Sequence, residues 1–133
     1  MIALDTNVLI RVLTADDPKQ TELAERLLRE AAEAGESCFV SDPVLCETEW
    51  VLDSYYGVPR SGIAAALESL LARRNLFSFE DADVFRKALD AYRQGKAEFS
   101  DFLIGAKAEA RGARTTFTFD RDLASQQGFS ILK

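Results

Sequence analysis

The clearest signal of the fold lies in residues 1–10, Met1-Ile2-Ala3-Leu4-Asp5-Thr6-Asn7-Val8-Leu9-Ile10. A short apolar run stops at Asp5 and resumes at Val8, which predicts a buried strand that ends in polar groups. In open α/β sheets, ligands bind outside the carboxyl ends of the parallel strands, so Asp5 lies where chemistry is expected. An Asp at this position also suits the N-cap of a following helix. At this point both interpretations of Asp5 stay open.

Composition indicates an ordinary globular domain. The 133 residues are 47% hydrophobic, which is enough for one domain with a buried core. No apolar run reaches the ~18–20 residues of a membrane span and no basic region precedes the first strand, so we expect a cytoplasmic protein that does not enter a membrane. The net charge of −6 argues against nonspecific nucleic-acid binding through a broad basic surface, but says little about a local groove.

The absence of histidine excludes several kinds of site. Cys38 and Cys46 form no CxxC pair and have no histidine to complete a zinc site, so we expect them to be reduced core residues. Mechanisms based on Ser-His-Asp, Cys-His or phosphorylated imidazole are excluded as well.

Helix and strand signals alternate along the first half of the chain. Asp17-Pro18 predicts a helix start, and Gly35 predicts its end. A strand is expected over residues 37–40, and Asp42-Pro43 predicts the start of the next helix. The expected apolar faces of these two helices are Leu23, Leu27, Leu28 and Ala31, and then Val44, Leu45, Trp50, Val51 and Leu52.

The second half continues the alternation. A cap near Ser61 leads into an apolar helix, an extended segment is expected over residues 76–79, and another helix runs to Gly95. Ser100 is the expected cap of a helix that ends at Gly112 and carries Asp101 in its first turn. The β-branched and aromatic run over residues 115–119 predicts a strand that ends at Asp120, and residues 130–132 predict a last short strand.

Four carboxylates stand at the edges of apolar elements: Asp5, Glu47, Asp101 and Asp120. Clustered carboxylates repel one another, whereas Mg²⁺ or Mn²⁺ takes oxygen ligands and offsets that repulsion. Such an ion can activate water and neutralise a phosphodiester without a histidine base. The four acids therefore predict a divalent-metal site for phosphate chemistry.

Four sequence blocks carry a family resemblance. They are Met1 to Ile10, Val44-Leu45-Cys46-Glu47-Thr48-Glu49-Trp50-Val51-Leu52, Phe99-Ser100-Asp101-Phe102-Leu103-Ile104-Gly105-Ala106-Lys107-Ala108, and Thr118-Phe119-Asp120-Arg121-Asp122-Leu123. In order and spacing they resemble the PIN-domain ribonucleases, specifically the VapC toxins of toxin–antitoxin pairs. The resemblance implies a single PIN domain over residues 1–133, with a three-layer α/β/α fold around a central, mainly parallel sheet.

The resemblance also implies a Mg²⁺- or Mn²⁺-dependent endoribonuclease. Asp5, Glu47, Asp101 and Asp120 would be its catalytic, metal-binding acids. Three further residues match polar positions beside the family's acids and would support them, namely Thr6, Asn7 and Thr118. Asp122 is an auxiliary candidate that competes with Asp120 for the last position.

Each of these acids could also have an ordinary structural role without binding metal. Asp101 also suits simple compensation of the helix dipole, and either Asp120 or Asp122 suits a cap. Glu47 would be an ordinary exposed helix residue if it did not bind metal, and Glu49 is expected to be solvated because it lies off the same helix face.

The resemblance implies partners beyond an RNA substrate. These are a cognate VapB-type antitoxin, a second copy of the chain in a homodimer, and DNA only indirectly through the antitoxin. The helices around residues 44–56 and 63–71 would offer an apolar groove for the antitoxin, with core packing as the competing account of the same residues. Arg11, Lys96, Lys107, Arg111 and Arg121 are candidates for contact with the RNA backbone.

Other functions remain open. A PIN nuclease for RNA processing would have the same acids, and a catalytically silent PIN binding module would retain them only for structural reasons. A haloacid-dehalogenase-like phosphatase is disfavoured because it would place a second acid where this chain has Asn7.

Overall fold

Short strands alternate with helices along the whole chain. The computed structural model describes residues 1–133, which divide into two compact units, Met1–Glu80 and Asp81–Lys133. The first unit contains, in order, β1 (Ile2–Ala3), α1 (Thr6–Thr14), α2 (Pro18–Glu33), β2 (Cys38–Val40), α3 (Asp42–Ser54), α4 (Arg60–Leu71) and β3 (Phe77–Phe79). The second contains α5 (Ala82–Gln94), α6 (Phe99–Ala110), β4 (Thr116–Thr118), α7 (Arg121–Ala124) and β5 (Phe129–Ile131).

All strand pairings are parallel. In the first unit the order is β1-β2-β3, with Ile2 opposite Cys38 and Cys38 opposite Phe77. In the second unit Thr116 of β4 lies opposite Phe129 of β5. Parallel neighbours require a crossover between them, and α1 with α2, then α3 with α4, supply the crossovers of the first unit. The prediction of an α/β chain with mainly parallel strands is confirmed. None of the helices combines the length and hydrophobicity needed to cross a membrane.

Helix boundaries follow capping chemistry. Asp17 is the N-cap of α2, where its carboxylate accepts a hydrogen bond from the Gln20 N–H at 3.1 Å, as predicted. The predicted cap at Ser100 is wrong, because α6 begins at Phe99 and its N-cap is Glu98. The Asp101 carboxylate accepts a hydrogen bond from the Glu98 N–H at 3.2 Å, which stabilises this earlier start.

The N-cap of α4 also differs from the prediction. Pro59 occupies it, and Ser61 lies inside the helix. The four apolar residues predicted for this helix, Ile63, Leu67, Leu70 and Leu71, are all buried. They belong to the core, so the proposed contribution of this helix to an exposed apolar groove is wrong.

The buried face of α3 differs from the one predicted from its apolar residues. Glu49 is only 5% exposed and Trp50 is 58% exposed, so the expectations of a solvated Glu49 and a buried Trp50 are wrong. A helix face that contains Leu45 also takes in the residues three, four and seven positions later. Those positions are Thr48, Glu49 and Leu52, and all three are buried. Helical geometry therefore outweighs the hydrophobicity of the indole ring.

Aromatic packing holds α5 against α6 in the second unit. Phe99 is fully buried, and its ring meets Phe85 edge to face at a centroid distance of 5.8 Å and Tyr92 at 6.0 Å. Such pairs contribute roughly 0.5–1.5 kcal/mol beyond the area they bury. Phe99 is therefore the centre of this cluster.

Replacing Phe99 tests that packing. Phe99→Ala should lower the free energy of unfolding by about 3–5 kcal/mol, since it leaves a cavity among buried rings. Phe119→Ala is the matched control: Phe119 is 79% exposed, and its loss should change stability by no more than about 0.5 kcal/mol. Denaturant unfolding monitored by circular dichroism measures both. Equal effects of the two variants would contradict the assigned core.

Candidate functional site

Asp5 combines capping with an available oxygen. It directly precedes α1, and its Oδ1 accepts a hydrogen bond from the Thr6 N–H at 2.8 Å. Asp5 is exposed, and Oδ2 has no hydrogen-bond partner in the protein. The capping interpretation is thus confirmed, yet it leaves the second oxygen free for a ligand. The backbone bond also fixes the orientation of the carboxylate.

Glu47 lines the same cavity as Asp5. This acidic cavity has a volume of about 410 Å³. It is lined by Asp5, Thr6, Asn7, Ile10, Arg11, Asp16, Glu47, Val51, Tyr55 and Tyr56. On α3, Glu47 and Val51 are one turn apart, which places them along one stripe. The Glu47 carboxylate is exposed and makes no hydrogen bond or ion pair with the protein. Two predicted acids, with Thr6 and Asn7, therefore meet at one cavity.

Thr6 contributes an unsatisfied hydroxyl. The residue is 7% exposed, and its Oγ1 is buried without a hydrogen-bond partner. Leaving such a group unpaired costs about 1–3 kcal/mol. An orphaned hydroxyl in the wall of a carboxylate-lined cavity fits a site that takes up a polar ligand. Thr48 Oγ1 is also unpartnered, and nothing in the structure explains it.

Asp101 and Asp120 repeat the arrangement of Asp5 within the second unit. The Asp101 Oδ2 accepts the bond from the Glu98 N–H, and Asp120 Oδ1 accepts from the Asp122 N–H at 2.9 Å and the Leu123 N–H at 3.3 Å. The other oxygen of each carboxylate has no protein partner. All three aspartates thus hold a helix start with one oxygen and leave the other free.

Thr118 and Asp122 differ in their relation to Asp120. The Thr118 hydroxyl accepts a hydrogen bond from the Asp120 N–H at 3.0 Å, so it contacts the backbone of Asp120 rather than its carboxylate. Asp122 donates its own backbone N–H to Asp120 and leaves its side chain exposed. Asp120 is therefore the cap of α7. The role of Asp122 as an auxiliary ligand stays a prediction.

The donor chemistry fits a hard divalent cation. The predicted ligands are carboxylate oxygens without ion pairs, and Asn7 adds an amide oxygen at the acidic cavity. Oxygen ligands of this kind suit Mg²⁺ or Mn²⁺ rather than a thiolate-binding metal. No group of three or more acidic, cysteine or histidine side chains lies close enough together to hold a metal ion by itself. Completing a coordination shell would therefore require water or substrate oxygens.

A network around Arg11 was not predicted as a unit. Arg11 Nη1 donates to Asp16 Oδ1 at 2.9 Å and to the Tyr56 hydroxyl at 3.1 Å, while Nε donates to Gln20 Oε1 at 2.6 Å. The Tyr56 hydroxyl donates to Asp16 Oδ2 at 2.7 Å. Arg11 and Tyr56 are 45 positions apart, so only folding brings them together. From the sequence alone, Arg11 is only a candidate for contact with the RNA backbone.

The network shifts the ionisation of its members. The hydrogen bond from Tyr56 is the largest cause that lowers the pKa of Asp16 below its ordinary 3.8, and the bond from Thr14 and the charge of Arg11 act in the same direction. The bond with Tyr56 also raises the pKa of Arg11. Both shifts favour the charged form of the group concerned.

Two further cavities are present, and the smaller one shares Asn7 and Arg11 with the acidic cavity. One of about 290 Å³ is bordered by Leu23 and Leu27, which are 50% and 37% exposed although both were predicted on the apolar face of α2. The buried face of that helix instead includes Ala24, Leu28 and Ala31. The other, about 650 Å³, lies in the second unit and contains the Lys87–Glu109 ion pair in its wall.

Comparisons with known proteins agree with the sequence blocks. The family model described as "PIN domain" matches residues 2–128. A protein from Aquifex aeolicus (strain VF5), named "VapC ribonuclease", is 31% identical over 121 residues, which cover 91% of this chain and 88% of the relative. The match extends across both units rather than over an isolated motif.

The Asp16 network gives a pH-dependent prediction. Tyr56→Phe should raise the pKa of Asp16 towards 3.8, because it removes the largest cause of the lowered pKa. Since the folded-state pKa is lowered, the stabilising contribution of Asp16 is present above the unfolded pKa and is lost as pH falls through the folded one. Tyr55→Phe is the control, because the Tyr55 hydroxyl has no partner in the protein. Side-chain carboxyl NMR titration measures Asp16 directly, and an equal shift in both variants would contradict the network.

Proposed function

Because this chain belongs to the PIN-domain family, we propose that it is a Mg²⁺- or Mn²⁺-dependent endoribonuclease that acts as the toxin of a type II toxin–antitoxin system. The observation that carries the proposal is the shared cavity of Asp5 and Glu47, in which both carboxylates have an oxygen free of protein partners. The resemblance to a VapC ribonuclease supports RNA as the substrate class.

Asp5, Glu47, Asp101 and Asp120 are the proposed metal-binding acids, with Asp122 as the auxiliary candidate. When bound, the metal would supply positive charge for the phosphate and would lower the pKa of water. The backbone bonds of the three aspartates hold their carboxylates in fixed orientations, which reduces the entropy lost on binding. Glu47 has no such bond, and its side chain is free to adjust to the ligand.

Thr6, Asn7 and Thr118 are the proposed supporting residues. Thr6 holds Asp5 through its backbone N–H, and Asn7 presents an amide to the same cavity. Thr118 holds the backbone of Asp120. Residues that orient ligands in this way commonly affect metal affinity or activity by about 10–100-fold.

Several broader aspects belong to the same proposal. Residues 1–133 would act as a single PIN domain in the cytoplasm. The chain would form a homodimer, bind a cognate VapB-type antitoxin, and reach DNA only through that antitoxin. Exposed apolar side chains on α3, such as Trp50 at 58% exposure, support the presence of a protein-binding surface.

Cleavage of RNA tests the activity and the site together. Purified protein should cut members of a structured-RNA panel in the presence of Mg²⁺ or Mn²⁺. Addition of EDTA should stop this cleavage. Asp5→Asn should reduce cleavage by on the order of 100-fold or more, because even residues that only support a metal ligand commonly matter by about 10–100-fold.

Asp53→Asn is the matched control for that assay. Asp53 is exposed on α3 and has no hydrogen bond or ion pair through its side chain, so this variant should retain the activity of the wild type. Equal cleavage by the Asp5 and Asp53 variants would reject the assigned site or reveal a contaminating nuclease. A folded protein that cuts no RNA would instead favour the silent binding module.

Metal binding has a readout that does not depend on cleavage. Mn²⁺ at about 100 times its dissociation constant should stabilise the wild type by roughly 2.7 kcal/mol, seen as a higher melting temperature. Glu47→Gln should reduce this gain, and it breaks no protein hydrogen bond because the Glu47 carboxylate makes none. Glu25→Gln, an exposed substitution on α2, should behave as the wild type does. An undiminished gain in Glu47→Gln would remove Glu47 from the ligand set.

A further inference from the structure

The carboxylates of the acidic cavity repel the phosphates of an RNA strand. Asp5, Asp16 and Glu47 contribute carboxylates to its wall, and Arg11 is the single basic residue among the lining side chains. The whole chain also has a net charge of −6. Apart from a metal ion, the attraction that this wall offers to a phosphate therefore depends on Arg11.

The guanidinium of Arg11 is held with one edge free. An arginine side chain has five N–H donors. The Nε donor is used by Gln20, and the two Nη1 donors are used by Asp16 and Tyr56. The Nη2 donors have no protein acceptor, although the side chain is only 24% exposed. A guanidinium fixed by three bonds loses little entropy when its remaining edge binds an oxyanion.

The position of Arg11 suits a neighbouring phosphate rather than the cleaved one. Arg11 lies six residues after Asp5, and at about 1.5 Å per residue α1 separates them by roughly 9 Å along its axis. With this spacing between their backbone positions, Arg11 is placed for a phosphate next to the one at Asp5 in the same strand. Arg11 and Asp5 line the same cavity, so one strand would meet both.

We propose that Arg11 Nη2 binds a phosphate that flanks the cleaved bond of the RNA, and that Asp16, Tyr56 and Gln20 hold the guanidinium in position for this contact. The subsite rests on the proposed ribonuclease function and adds the residue that positions the strand.

A purely structural role would be the competing account. The network joins the end of α1 to Tyr56, just after α3, through Asp16. Such a structural role would make no use of the Nη2 donors, which have no acceptor in the protein. The charge of Asp16 does not remove those donors either, because hydrogen bonds to a phosphate depend on the orientation of the fork as well as on net charge.

Equilibrium binding separates the two accounts. A fluorescein-labelled RNA 12-mer of mixed sequence is titrated with full-length protein in Mg²⁺ at several salt concentrations, and fluorescence polarisation is measured. All variants carry Asp101→Asn, which stops cleavage by the proposed mechanism and leaves the side chains lining the acidic cavity unaltered. Intact RNA is verified by gel electrophoresis, and folding by circular dichroism.

The expected results distinguish the effect of the positive charge at Arg11 from that of the hydrogen-bonding geometry of its guanidinium. Arg11→Gln should weaken binding about tenfold and should lower the slope of log affinity against log salt by about 0.7. Arg11→Lys should keep the slope and lose affinity about threefold, since it retains the charge without the fork. Tyr56→Phe should also lose affinity with an unchanged slope, because the guanidinium is less constrained. Arg29→Gln, an exposed arginine on α2, should stay within about twofold of the parent.

Several outcomes would overturn the subsite. Parental affinity and slope in folded Arg11→Gln would do so, and if that variant does not fold, parental affinity in both Arg11→Lys and Tyr56→Phe would have the same meaning. The Arg11 Nε–H signal in NMR provides an independent check. If it responds to a hexaglutamate peptide and not to the RNA, the guanidinium serves a protein carboxylate instead.

The two proposals fail separately. If wild-type protein cuts no RNA but its RNA binding depends on Arg11, the nuclease function is rejected, and Arg11 remains a phosphate contact with no cleaved bond beside it. If RNA is cut but binding and cleavage are indifferent to Arg11, the nuclease stands and the subsite is rejected.

Discussion

The hydrogen bond from the Thr6 N–H to the Asp5 carboxylate is the interaction on which the arrangement of the candidate site depends. It orients the Asp5 carboxylate between β1 and α1, at the edge where parallel strands of an α/β fold present ligand-binding residues. Because one oxygen is committed to the backbone, the carboxylate cannot rotate freely. The second oxygen then has a defined direction, which a catalytic constellation requires.

Capping and ligand binding are complementary roles for an aspartate. The same division of oxygens recurs at Asp101 and Asp120, where a backbone N–H near a helix start occupies one carboxylate oxygen. A helix start also favours negative charge, since the backbone dipoles leave partial positive charge there. This interaction favours the ionised form of each aspartate, although none of them has an ion pair.

Arg11 opposes the negative charge of the acidic cavity without pairing with the two predicted metal ligands in it. Its partner is Asp16 rather than Asp5 or Glu47, so the two predicted ligands stay without an ion pair. Hydrogen bonding with Tyr56 favours the charged forms of both groups, since it raises the pKa of Arg11 and lowers the pKa of Asp16. The wall therefore contains a fixed cation beside carboxylates that remain available for binding.

The order of strands and helices, the parallel α/β class and the PIN-family blocks could be predicted from the sequence, because apolar periodicity and capping residues act over a few positions. Prediction from the sequence failed for Glu49 and Trp50, where the buried face of α3 was decided by packing on neighbouring elements. Only the tertiary structure decided that Glu47 shares a cavity with Asp5, and that Tyr56 fixes Arg11. Contacts between residues about 40 positions apart leave no local pattern in a chain, since they form only when separate helices pack together.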